Sequence, residues 1–253
     1  MHAGEIMLKY FNAKDISKYK GDRSIVTLAD TEINSYLIEQ VKAKYPTHAV
    51  DGEEEKYGTS NLMWLCDPVD GTAQFARGIP VAVFSLAFAV DGVPIVGVVY
   101  DPFVKEMFWA VKGQGAYKNG EKISVNDIPL DDNRAMGSYD MFPVPKLPIG
   151  VPVCDVYKAI EKLDVYSVSI GSCIRSCTAV ADGHYVFHLF PSKKYVDISA
   201  VKVIVEEAGG MVRNFYGDEQ RYDKEIIGAI VSNKVAYDDV LKVIKKIMGV
   251  CVA

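Results

Sequence analysis

The chain has 253 residues, 49% hydrophobic and 24% charged, enough to bury a large core in one big domain or two closely joined halves. A formal net charge of −5 and a pI near 5.5 offer no basic face to a phosphate backbone, so a small ligand is expected and nucleic acid is not. Five scattered cysteines without a C-x-x-C pair, an N-terminus (MHAGEIMLKYF) without the apolar core of a signal peptide, and a longest apolar run (VAVFSLAFAV) too short to span a bilayer together predict a reducing, cytoplasmic setting without membrane contact.

Apolar residues at Ile33, Leu37 and Val41 give the i, i+4, i+8 stripe of a helix over Asp30 to Lys44, with Asp30 or Thr31 as its cap and Pro46 beyond it. The acidic turn DGEEEKYG follows, and then the apolar run that ends in WLCDPVDGT, residues 64–72. VAVFSLAFAV and PIVGVVYD are β-rich and separated by Asp91-Gly92, a hairpin-forming pair; KEMFWAV follows Asp101-Pro102. Residues 80–111 are therefore expected to form an antiparallel meander. Residues 126–152, rich in Asp, Pro and Gly and without a period, mark a border between halves. Beyond it, strands (VYSVSI, HYVFHLF, IIGAIVS) alternate with helices (SCTAVADG, DISAVKVIVEEAGG, AYDDVLKVIKKIMG), the pattern of α/β layering.

Chemistry concentrates at WLCDPVDGT. Asp67 and Asp70 flank a proline that fixes one torsion, so a turn there aims two carboxylates and the Val69 carbonyl at one point. Convergent hard oxygens suit Mg²⁺, which needs acidic residues from further segments; GEEE, Glu53 to Glu55, and Asp197 in VDISAVKVIVEEAGG offer them. Gly71 lets backbone approach a ligand, and the N–H groups of Gly71 and Thr72 at a helix start suit phosphate. Each feature alone has a plainer reading as a turn former, a solvated face or a helix cap; the combination does not. His184 and His188 share a strand face without making a metal site, Cys173 and Cys177 read as helix packing, and no G-x-S-x-G turn supports a serine nucleophile.

The sequence resembles the inositol monophosphatase family, whose wider fold is shared with fructose-1,6-bisphosphatases and 3'-nucleotidases. The similarity runs from SIVTLAD at 24–30 through GEE, WLCDPVDGTAQF, GIPVAVFSLAFAVDGVPIVGVVYDP and GQGAYKNG to VDISAVKVIVEEAGG. It implies a layered α+β and α/β fold, the sugar-phosphatase αβαβα sandwich. This would be one domain over 1–253, with an N-terminal α+β half to about 125 and a C-terminal α/β half from about 153. It implies a Mg²⁺-dependent phosphomonoesterase with two or three ions per site, acting on inositol-1-phosphate or fructose-1,6-bisphosphate by in-line attack of a metal-bound water; a homodimer is expected. By that resemblance Glu53, Asp67 and the Val69 carbonyl hold a first ion, and Asp67, Asp70 and Asp197 a second. Thr72, paired with Asp30, would polarise the attacking water, and the loop Lys18–Ser24 would close over the site.

Departures fall on the leaving-group side. Val196 stands where the family often has tryptophan, a drift shared with archaeal members of dual activity. Phe190 replaces a glutamate that contacts inositol in animal-type enzymes, with His188 nearby, and Val168 and Gln74 replace a frequent arginine and asparagine. Alternatives are a 3'-phosphoadenosine 5'-phosphate or NADP(H) phosphatase, and a catalytically idle relative that binds a partner.

Overall fold

The computed structural model describes residues 1–14, 16–21, 24–140, 153–163 and 165–249. The N-terminal half begins with helix α1 (His2–Tyr10), a hairpin of β1 (Ser17–Tyr19) and β2 (Ile25–Thr27), and helix α2 (Leu28–Lys44). It continues with β3 (Ala49–Gly52), β4 (Lys56–Tyr57), β5 (Leu62–Asp70), the single turn α3 (Thr72–Phe75), β6 (Val83–Val90), β7 (Val93–Asp101), β8 (Glu106–Val111), β9 (Ala116–Lys118) and β10 (Glu121–Ile123). The expected meander is present as β6 to β8 and forms the centre of an eight-stranded sheet ordered β10-β9-β8-β7-β6-β5-β3-β4. Its neighbours are antiparallel except β3 and β5, which run parallel.

The second half contains β11 (Met136–Tyr139), α4 (Val153–Glu161), β12 (Tyr166–Val168), α5 (Cys173–Ala181), β13 (Phe187–Phe190), α6 (Val196–Glu207), β14 (Met211–Arg213), β15 (Ala229–Ser232) and α7 (Tyr237–Ile247). Its five strands form a mixed sheet ordered β12-β11-β13-β15-β14. The layers run α1 and α2, large sheet, α5 and α6, small sheet, α4 and α7. This is the expected αβαβα sandwich.

Several boundaries differ from the sequence reading. Helix α2 starts at Leu28, with Thr27 rather than Asp30 or Thr31 as its cap; Asp30 is its third residue and accepts from Thr27 N at 2.8 Å and Thr27 Oγ1 at 2.5 Å. The expected border at 126–152 contains β11, which pairs with both β12 and β13; residues 141–152 of that border lie outside the described residues. Met-Gly-Ser-Tyr carries no strand periodicity, so tertiary pairing alone makes it one. Only Phe187–Phe190 of HYVFHLF is strand, so His184 and His188 do not share a strand face.

Helix α6 is buried from Val196 through Val205, as a helix between two sheets must be. It lies in a trough of small residues crossing the large sheet, where Ala87 pairs with Gly97, Gly97 with Ala110, and Ala110 with Ala116. A Cβ on Gly97 would stand 2.2 Å from the Ala200 carbonyl oxygen, so only glycine admits the helix this close.

Candidate active site

Parallel strands present the same end to the same edge of a sheet, and this is how Glu53 and Asp67 meet. Gly52 is in register with Cys66, and Glu53 N donates to Cys66 O at 3.0 Å, so the residue after β3 lies beside Asp67 on β5. Asp67 and Asp70 are three apart, a spacing that sends side chains to opposite faces of a regular strand. The register against β6 shifts between them: Asp67 opposes Ser85 and Asp70 opposes Val83, three steps on β5 against two on β6. The extra residue is a β-bulge over Pro68 and Val69, where proline's missing donor does no harm, and it brings the two carboxylates toward one side. The expected turn at this point is thus a bulged strand; the chain turns only at Gly71, with φ of 87°.

Asp197 arrives from the first turn of α6, where the helix N-terminus favours negative charge. One oxygen each from Glu53, Asp67 and Asp197 lies within 4.8 Å of the others. Ligand oxygens at about 2.1 Å from Mg²⁺ stand ~3 Å apart when adjacent and ~4 Å when opposite, so carboxylates gathered this closely suit a cation site that more than one ion can share. Asp197 Oδ1 is buried without a hydrogen-bond partner among the described residues, as an oxygen reserved for a cation would be. Lys194 Nζ stands 2.6 Å from Glu53 Oε1, and Asp197 and Glu53 hold it charged against the lowering effect of burial.

Asp70 is secured from the other half of the chain. Its Oδ2 accepts from Ser172 Oγ at 2.5 Å and from Ile174 N at 2.8 Å, in the first turn of α5. Gly71 is pressed against that same segment, where a Cβ would lie 3.3 Å from the Gly171 carbonyl oxygen. Asp67 Oδ1 accepts from Val69 N at 3.1 Å, and Thr72 Oγ1 donates to the Val69 carbonyl at 2.8 Å. The expected Thr72 to Asp30 pairing is replaced: the threonine's one proton goes to Val69, and Asp30 Oδ2 is engaged by Thr27. On the β1–β2 side, Lys20 Nζ meets Glu54 Oε1 at 2.5 Å, although residues 22–23 of that loop lie outside the described residues. Sequence reasoning missed Lys194 and the Ser172–Ile174 clamp; only SKKYVD, with its lysines just before Asp197, carried a signal for the first.

Burial, then the neighbouring carboxylates, pushes Asp67 and Asp197 well above the usual carboxylate range. Burial likewise lifts Asp30 and Asp70 from 3.8 to about 7, against the hydrogen bonds of Thr27 and of Ser172 respectively. With folded values above unfolded ones, the folded chain binds protons the unfolded chain has released. That stabilisation is complete below the unfolded value of 3.8 and is lost as the pH rises through about 7. Metal-free protein should therefore melt roughly 5 °C lower at pH 8 than at pH 5.5, and Mg²⁺ should restore more at pH 8, where it has fewer protons to displace. Thermal melts in EDTA and in Mg²⁺ at both pH values check this; a melting temperature in EDTA that rises with pH would contradict it.

A layered sandwich that gathers carboxylates from three chain segments at strand and helix ends defines a metal-dependent phosphatase of the sugar-phosphatase class. The inositol monophosphatase family model matches residues 1–248, and the chain belongs to that family. It is 30% identical over 249 residues to the fructose-1,6-bisphosphatase/inositol-1-monophosphatase of Thermotoga maritima, covering 96% of this chain and 91% of that protein. It is 31% identical over 221 residues to the Nus factor SuhB of Haemophilus influenzae, covering 84% and 81%. Among solved structures, an IMPase of Thermotoga maritima superposes with a TM-score of 0.86 at 28% identity, covering 98% of this chain and 94% of that one.

Proposed function

We propose that the chain is a Mg²⁺-dependent phosphomonoesterase acting on a small polyol or sugar phosphate, inositol-1-phosphate or fructose-1,6-bisphosphate. The observation that carries this reading is the convergence of Glu53, Asp67 and Asp197 on one point beside a buried Asp70. Glu53, Asp67 and the Val69 carbonyl would hold one ion, and Asp67, Asp70 and Asp197 a second. Such ions, when bound, polarise the phosphoryl oxygens and lower the pKa of water for in-line attack. Thr72, with its proton directed to Val69, keeps its lone pairs for a proton of the attacking water, and the N–H groups of Gly71 and Thr72 would receive phosphate oxygens. Asp30 acts through the start of α2, not through Thr72. The Thermotoga relative, named for both activities, supports the substrate class. The same reading extends to one sugar-phosphatase domain over 1–253, a homodimer and the cytoplasm; among the described residues no helix is long and apolar enough to cross a membrane.

Phosphate release from inositol-1-phosphate, fructose-1,6-bisphosphate, 3'-phosphoadenosine 5'-phosphate and NADP, each with Mg²⁺ and with excess EDTA, tests the proposal. Release from either of the first two, abolished by EDTA, is expected. Preference for the nucleotides would move the substrate class, full activity in EDTA would remove the metal, and silence on all four would favour an idle, partner-binding relative.

A further inference from the structure

Directly behind Asp70 lies a second cluster, made of softer donors. Cys173 and Cys177, four apart on α5, share one helix face, and His188 on β13 faces them; the two Sγ atoms and a His188 ring nitrogen lie within 4.8 Å of one another, all buried. Parallel pairing of β11 and β13 sets Ser138 opposite His188, with Ser138 Oγ 2.9 Å from His188 Nδ1. One step further along, Asp140 N donates to Leu189 O at 3.1 Å, which places the Asp140 carboxylate beside the same ring. His188 Nε2 and Asp140 Oδ2 form a buried ion pair at 3.3 Å that is not aligned as a hydrogen bond.

We propose that Cys173, Cys177 and His188 hold a zinc ion, with Asp140, the partner of His188, drawn in as the fourth ligand. Nitrogen and oxygen ligands about 2.0–2.1 Å from a tetrahedral Zn²⁺ stand ~3.3 Å apart, which is the separation of His188 Nε2 and Asp140 Oδ2. Two thiolates and an imidazole select Zn²⁺ over the Mg²⁺ suited to the all-oxygen site next door. Ser138 accepts the Nδ1 proton and so fixes the tautomer that leaves Nε2 for the metal, the orienting contact zinc-binding histidines require.

Without the ion Cys173 and His188 are held protonated. Burial, then its hydrogen bond to Cys177, raises the Cys173 thiol well above the usual range. Burial alone would lower His188, but Cys177 and Asp140 outweigh it and lift the ring to about 9. Binding therefore displaces the protons held by the Cys173 thiol and by Nε2, and the Zn²⁺ charge compensates the thiolate ligands. The ion would tie α5 to β13 and to the end of β11. Cys173 sits between Ser172 and Ile174, the two residues that clamp Asp70, so the zinc fixes the helix turn that orders the acidic site.

The site stands independently of the phosphatase reading and is tested without an activity assay. Protein from zinc-supplemented cells, dialysed natively against EDTA to strip Mg²⁺, should retain about one zinc per chain by elemental analysis. Protein from cobalt-supplemented cells should show a thiolate-to-cobalt charge-transfer band, which carboxylates cannot give. C173A and C177A should each reduce retained zinc at least tenfold. If the variants fail to fold, the wild-type cobalt spectrum decides alone. Less than a tenth of an equivalent of zinc, a cobalt spectrum without the band, or zinc undiminished in the folded C173A/C177A double variant would each overturn the assignment.

Discussion

Replacing Asp70 with asparagine should lower phosphatase turnover about a thousandfold while leaving the fold intact, since losing a carboxylate from a metal clamp removes several kcal/mol and each 1.4 kcal/mol is tenfold. The reason lies in how fully Asp70 is used. One oxygen already accepts from Ser172 and Ile174, and the charge of the carboxylate suppresses the acidity of Asp67 and Asp197. An asparagine has one acceptor and one donor. If its oxygen keeps α5, its NH₂ points into the cation site; if its oxygen faces the cation, its NH₂ opposes two donors. Because Asp70 is buried, the neutral amide should cost the metal-free fold little. Turnover against Mg²⁺ concentration, together with a thermal melt, measures both arms. Unchanged turnover at one tenth of the usual Mg²⁺ would reduce Asp70 to a residue that orders the bulge and α5.

The second large effect is expected at Thr72. Thr72→Ala should lower kcat about 10²-fold, a typical loss for misoriented general-base assistance, with Mg²⁺ binding by calorimetry nearly unchanged because the Val69 carbonyl remains in place. Asp30→Asn should behave differently. Its amide oxygen can still accept from Thr27, so the start of α2 survives and kcat should fall less than tenfold. Since the two side chains do not share a hydrogen bond, their losses should multiply in the double variant. A double variant no worse than Thr72→Ala alone would restore the direct pairing implied by the family resemblance.

The D-P-x-D-G-T spacing, G-E-E and the aspartate ahead of E-A-G-G made the acidic site legible, because each motif carries its chemistry in consecutive residues. The meander was legible for the same reason: its turns and alternation are local. What escaped depends on partners distant in the chain. Nothing in WLCDPVDGT distinguishes a turn from a bulge until β6 is laid beside it. β11 is a strand only because β12 and β13 flank it; Cys173 and Cys177 meet His188 only through the packing of α5 on β13, and Asp140 reaches His188 only through the register of β11 with β13. The cap of α2 is a miss of another kind, since T-L-A-D at 27–30 displays an acidic residue three after a threonine, a pattern readable from the sequence.

The trough under α6 bears on the spacing of the acidic residues. Asp67 and Asp70 end a strand of the large sheet, while Asp197 heads the helix lying on it, so the gap between these carboxylate sets is a distance between two backbones. Along Ala87, Gly97, Ala110 and Ala116 no large side chain separates helix from sheet, and at Gly97 the backbones touch directly. Side chains can change rotamer; backbone contacts cannot. The trough therefore works as a mechanical gauge, setting the separation of charges by main-chain thickness and keeping it steady while side chains elsewhere in the core fluctuate.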